Sequence, residues 1–228
     1  MDINLHYIEE GTGTPLLLLH GNGEDGTYFK HQLAYFSKKY RVIAVDTRGH
    51  GQSPRGAAPF TISQFAEDLN AFLEQRDISK AVILGFSDGA NIAMRFAMKH
   101  PEKVEALILN GGNLNARGVK ASVQIPIELG YRMTKLFSRI SEKARKNHEM
   151  LALMVDDPNI EPSELKEIHV PTLVIAGTED MIKEEHTKLL AAEIPGAELK
   201  FVKGGHFVAA KASEEFNAAV DLFLERVL

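Results

Sequence analysis

Ser87 stands in Gly85-Phe86-Ser87-Asp88-Gly89, between an apolar run and an alanine-rich helical pattern. A serine hydroxyl is a poor nucleophile until a base takes its proton, and the base needs a partner to fix its tautomer and stabilise its cation. The chain holds both kinds of group at comparable positions. Glu179 and Asp180 follow the apolar run "PTLVIAG", and His206 follows Gly204-Gly205 after the last such run. A serine, an acid and a histidine therefore occur in that order, each just past an apolar run. Such a set suits acyl transfer through a covalent serine intermediate. The short Gly-x-Ser-x-Gly pattern equally suits a serine capping a helix, so its weight comes from the other two groups.

Six continuous apolar runs deliver these residues: "PLLLLH", "RVIAVD", "AVILGF", "VEALILN", "PTLVIAG" and "AELKFVK". Runs of this kind form strands covered by helices on both faces. "INLHYIEE" alternates sides before Gly11 and reads as a partly exposed strand. Between runs, Thr61 caps a helix with apolar positions Ile62, Phe65, Ala66, Leu69, Phe72 and Leu73, and a C-terminal helix repeats the period with Phe216, Val220, Phe223, Leu224 and Val227. The pattern predicts one α/β domain over 1–228, a mostly parallel sheet of about seven strands flanked by helices. Segment 113–168 breaks the rhythm: it has helical periodicity and no strand signal, and reads as a small helical cap inserted within the domain.

Composition narrows the chemistry. With no cysteine, the chain has no disulfide, no Cys-ligated zinc and no thiol nucleophile. The histidines show no metal-ligand spacing, and "HEMLA" at His148 lacks the second histidine of a zinc-protease helix. No metal or other cofactor is expected. A net charge of -5 argues against nucleic-acid binding. No apolar run approaches the roughly 18 residues of a membrane span, and the N-terminus lacks a signal-peptide pattern, so the expectation is a soluble cytoplasmic protein. Eight basic and two acidic residues between Arg117 and Lys146 give that segment +6 and leave -11 elsewhere. This reads either as solvated helix faces or as steering of anionic substrates. Oligomeric state is not encoded in any of these patterns.

In open α/β sheets, sites gather at the carboxyl ends of strands. There the chain also places His20-Gly21-Asn22-Gly23 and "DTRGHGQS", Asp46 to Ser53. With the elbow at Ser87 and the Ser, Asp, His order, these motifs resemble the α/β-hydrolase fold superfamily over nearly the whole chain, in particular its esterase-like members. Many relatives carry a further strand before "INLHYIEEG", so a shortened sheet edge is expected. The resemblance implies Ser87 as nucleophile, His206 as base and Asp180 as its acid partner, since the family's Gly-x-x-Asp spacing matches Asp180 over Glu179; Asp156 and Asp157 are more distant competitors. It also implies an oxyanion hole from the backbone N–H groups of Asn22 and Asp88. The expected activity is hydrolysis of a small-molecule ester; C–C bond hydrolysis, thioester or lactone cleavage and perhydrolysis use the same triad. A slow-turnover ligand sensor retaining the pocket is the expectation from another class.

Three further readings accompany these. His20, Asp46, Arg48 and His50 are expected to hold the loops framing the site. Gly21-Asn22-Gly23-Glu24-Asp25-Gly26 spells a dinucleotide-binding fingerprint with Asp46 at the matching distance, but Glu24 and Asp25 would place carboxylates where a pyrophosphate must sit. The Asp88 carboxylate either adds favourable charge at a helix N-terminus or faces the pocket and attracts a substrate amine.

Overall fold

The computed structural model describes residues 2–228. Its seven strands are β1 (Tyr7–Glu10), β2 (Pro15–Leu19), β3 (Arg41–Val45), β4 (Ala81–Phe86), β5 (Val104–Asn110), β6 (Thr172–Gly177) and β7 (Glu198–Val202). They form one sheet in the order β1-β3-β2-β4-β5-β6-β7. β1 runs antiparallel to β3 and every other pairing is parallel. β1 is thus an edge strand. It is shorter than its hydrophobic pattern: Ile3 and Leu5 are buried but unpaired with β3, whose ladder with β1 stops at Tyr7↔Val45.

The helices are α1 (Lys30–Phe36), α2 (Ile62–Gln75), α3 (Asp88–Lys99), α4 (Ala121–Phe137), α5 (Glu142–Val155), α6 (Glu184–Glu193), α7 (Val208–Lys211) and α8 (Ser213–Val227). The Thr61 side chain accepts a hydrogen bond from the Gln64 N–H at 3.2 Å and so starts α2. Strand periodicity divides the core into two layers. Leu17, Leu19, Ile43, Val45 and Ile83 pack with α2 and α3, while Leu16, Leu18, Val42, Ala44, Val82 and Leu84 pack with α1 and α8. Both faces are covered, which is why the central runs are apolar at every position.

From β2 the chain steps to β3 on one side, and β4 lies on the other. The loops leaving β2 and β4 therefore diverge, opening a crevice at the carboxyl ends of these neighbours. α4 and α5 lie between β5 and β6 and pack against each other. Within these two helices little is buried: Gln124 in α4 and Leu153 in α5.

Candidate active site

β4 ends at Phe86 and α3 starts at Asp88, so Ser87 alone turns the chain. It does so at φ 54°, ψ -118°, a left-handed conformation costing a non-glycine residue about 1–3 kcal/mol. The turn is closed by near contact of backbones. A Cβ on Gly85 would lie 2.2 Å from the Gly89 carbonyl oxygen, and one on Gly89 would lie 1.9 Å from that of Leu19. Only glycine fits at either position. The Ser87 N–H donates to the Asn110 carbonyl at 2.8 Å, which fastens the turn to the end of β5.

Asp180 and His206 come from the loops after β6 and β7. The His206 Nδ1–H donates to Asp180 Oδ1 at 2.6 Å, and the Ser87 hydroxyl lies 3.1 Å from His206 Nε2. Asp180 Oδ1 also accepts from the Ile182 N–H at 2.9 Å, which orients the carboxylate. Asp180 and His206 are buried. This bond fixes the tautomer that leaves Nε2 free to accept the serine proton. Glu179 is exposed on the same turn, Asp156 accepts from the Tyr131 hydroxyl, and neither reaches His206.

The loop after β2 brings Asn22 opposite the N-terminus of α3. The Asn22 and Asp88 N–H groups donate no hydrogen bond to another described residue, which leaves two amides open beside Ser87. His20 and the Asp46–Ser53 loop hold this arrangement in place. His20 donates from Nδ1 to the Gly21 carbonyl at 2.7 Å and accepts the Thr47 N–H on Nε2 at 3.0 Å. The second bond needs a neutral ring, and burial pushes its pKa down. Burial and the nearby His20 push His50 down to about 4. Asp46 accepts the Gly26 and Gln52 N–H groups at 2.7 and 2.9 Å, and the buried Arg48 guanidinium is paired with Asp68 and Asp2. These side chains bind the loops to one another. The dinucleotide reading fails at the same place: Glu24 accepts the Gly21 N–H and Asp25 accepts the Thr27 N–H, filling the positions a phosphate would need.

A cavity of about 150 Å³ opens over Ser87, lined by Gly21, Asn22, Glu24, Phe86, Met154, Met181, His206 and Phe207. Met154 belongs to α5, so the insertion covers the crevice. Two polar ties hold it there. The Asn22 side-chain amide donates to the Met150 carbonyl at 2.8 Å, and Arg55 grips Glu149 with two bonds at 2.8 and 3.0 Å. Glu24, Met154 and Met181 were not singled out by the sequence as pocket residues. Glu24 sits two positions past Asn22 and Met181 one past Asp180, which is the signal that would have found them.

The Asp88 side chain does not line this cavity. It is buried with its Oδ2 unpartnered, and burial pushes its carboxyl up to about 7, opposed by the Asn22 side chain and reinforced by Asp157. The basic residues of the insertion are also absent from the cavity wall. Among the described residues no group of three or more His, Asp or Glu side chains is arranged to hold a metal ion, and no helix is long and apolar enough to cross a membrane.

A mostly parallel seven-stranded sheet with its serine turn at the topological switch point defines the α/β-hydrolase fold. The family model described as alpha/beta hydrolase fold matches residues 14–128, and the chain belongs to that family. A similarity of 35% identity to an uncharacterized protein of Mycobacterium tuberculosis covers 52% of this chain and 34% of that one. The chain thus spans about a third of that relative's length. The 3-oxoadipate enol-lactonase 2 of Acinetobacter baylyi is 25% identical over 99% of this chain and 94% of its own. Among solved structures, Est816, described as an N-acyl homoserine lactone degrading enzyme, has a TM-score of 0.80 at 27% identity, covering 97% of both chains.

Proposed function

We propose that this chain is a cofactor-independent serine hydrolase that cleaves a small-molecule ester through an acyl-enzyme intermediate. The observation that carries the reading is the continuous hydrogen-bond line from Asp180 through His206 to a strained, pocket-facing Ser87. Ser87 Oγ attacks the ester carbonyl while its proton passes to His206 Nε2, and Asp180 stabilises the resulting imidazolium. The oxyanion accepts hydrogen bonds from the Asn22 and Asp88 amides. Collapse of the tetrahedral intermediate expels the alcohol, which takes the proton from His206. Water, deprotonated by His206, then attacks the acyl group, and the acid leaves with Ser87 restored. Every proton in this cycle has a place on this chain's own residues. The similarity to an enol-lactonase and to an N-acyl homoserine lactone degrading enzyme supports acyl–oxygen bonds as the target, a lactone being a cyclic ester.

The test joins a fluorophosphonate probe, read by intact mass, with a panel of short acyl esters on wild type and Ser87→Ala. The reading requires one probe adduct located on Ser87 and ester turnover that disappears in the variant. An unlabelled Ser87 would sink it. Labelling without turnover of any ester would favour a ligand sensor that keeps the pocket.

A further inference from the structure

Glu24 is a carboxylate in the wall of the Ser87 cavity with no assigned work in the reaction. Among the residues lining the cavity, only Glu24 and His206 carry ionisable side chains. Glu24 is half-buried, and one of its oxygens, Oε2, accepts the Gly21 N–H at 3.2 Å. No lysine, arginine or histidine among the described residues forms an ion pair with it. A carboxylate partly removed from water without a cation is held at a cost that a ligand cation would offset. Burial raises its pKa in keeping with this, opposed by the Gly21 N–H and by positive charge on His206. The neighbouring acids have no such access: Asp88 lies outside the cavity wall, and Asp25 is engaged with the Thr27 N–H and hydroxyl. The Tyr28 hydroxyl is buried without a hydrogen-bond partner, so it does not donate to Glu24.

We propose that Glu24 sets the charge preference of the pocket, favouring esters with an ammonium group close to the scissile carbonyl and rejecting those with a carboxylate there. This rests on the serine-hydrolase reading above. A carboxylate-bearing substrate would bring two like charges together in a small cavity of reduced dielectric, whereas an ammonium would complete the pair that Glu24 lacks. The cations of the inserted helices lie outside the cavity wall and do not reverse this local sign.

The experiment compares the methyl esters of β-alanine, butanoic acid and succinic acid, which share a three-carbon acyl chain ending in ammonium, methyl and carboxylate. Hydrolysis is followed by acid release at pH 8. In wild type, kcat/KM is expected to fall in that order, with the ammonium ester at least about tenfold above the carboxylate ester. Glu24→Gln keeps an oxygen for the Gly21 N–H and removes only the charge, so the ratio should collapse by about tenfold or more towards unity. Any influence of Glu24 on His206 affects all three esters equally and cancels in the ratio. Wild type that prefers the succinate ester overturns the inference whether or not the variant folds. Equal ratios in wild type and Glu24→Gln overturn it as well, while turnover of the neutral ester leaves the hydrolase reading standing. No turnover of any of the three, with Ser87 unlabelled by fluorophosphonate, removes the hydrolase reading and this inference with it.

Discussion

α3 and α4 each lie beyond a strand end of the same sheet, and they are built in opposite ways. α3 follows β4 directly and is buried at Asp88, Gly89, Ala90, Asn91, Ile92, Ala93, Met94, Phe96 and Ala97. α4 lies in the insertion, buries Gln124, and leaves Ile125, Leu129, Met133, Leu136 and Phe137 exposed. The first helix is held by close packing on the sheet, and the second by α5 and a few polar contacts to the end of it, such as Gln124 to the Met154 carbonyl and Tyr131 to Asp156. The strained Ser87 conformation sits at the packed end of this contrast. Strain persists only where the surroundings over-determine it, and the interlock of Gly85, Gly89 and Leu19 does so. The inserted helices shape the cavity without carrying that load.

The largest effects should come from the packed side of the comparison. Ser87→Ala and His206→Ala are each expected to lower kcat on the best ester by about 10⁴- to 10⁶-fold. Ser87→Ala should melt near the wild-type temperature, since it removes no core contact, whereas His206→Ala, which takes a buried ring from beside Phe86 and leaves buried Asp180 without its histidine donor, should melt below it. Asp180→Asn should cost about 10⁴-fold, because an amide facing His206 Nδ1 favours the wrong tautomer. A loss of only a few-fold in any of the three would remove that residue from the mechanism.

Next in size is the packing itself. Phe96 is fully buried on α3, and Phe96→Ala is expected to lower the unfolding free energy by about 3–5 kcal/mol, measured by urea denaturation. A loss under about 1 kcal/mol would contradict the view that α3 is clamped by its contacts.

The same contrast explains what was legible in the sequence. The strands announced themselves because two-sided burial demands unbroken apolar runs, and the helices α2 and α8 because one buried face demands a 3.6-residue period. The positions of Ser87, Asp180 and His206 followed from their places just after strands. Side-chain direction did not. Glu179 and Asp180 are adjacent, yet one is exposed and the other buried against His206, a difference set by the fold of the β6 loop. Glu24 looked like part of a false nucleotide motif because its neighbours in the cavity, Met154 and His206, are distant in the chain. The exposed apolar side of α4 was hidden for the opposite reason: helical periodicity shows that a helix has an apolar face, not whether anything covers it.

The packed helix carries an ionisation cost at its first residue, Asp88. Burial raises its folded pKa to about 7, against an ordinary value near 3.9. Its contribution to stability is therefore fully present below about pH 4 and is lost as pH rises towards about 7. Asp88→Asn removes this dependence, and should be more stable than wild type at pH 8 by roughly 2–4 kcal/mol, with the gap closing by pH 4. Thermal unfolding of both proteins at the two pH values checks this. Parallel melting curves across that range would mean that the carboxylate is solvated in its folded position.

The smallest effects belong to α4. Leu136 is 71% exposed and Ile140, just beyond the helix, is 80% exposed. Apolar side chains already in water lose no transfer free energy when replaced, so Leu136→Gln and Ile140→Gln should each shift the unfolding free energy by no more than about 0.5 kcal/mol. Turnover of a neutral ester should change less than twofold, because neither residue lines the cavity. A substantially larger loss of stability in either variant would show that this face is covered in solution, and its dependence on protein concentration would tell a second copy from intramolecular packing. In that case the lightly held insertion would draw its rigidity from a neighbour, and the contrast with α3 would be one between two sources of burial.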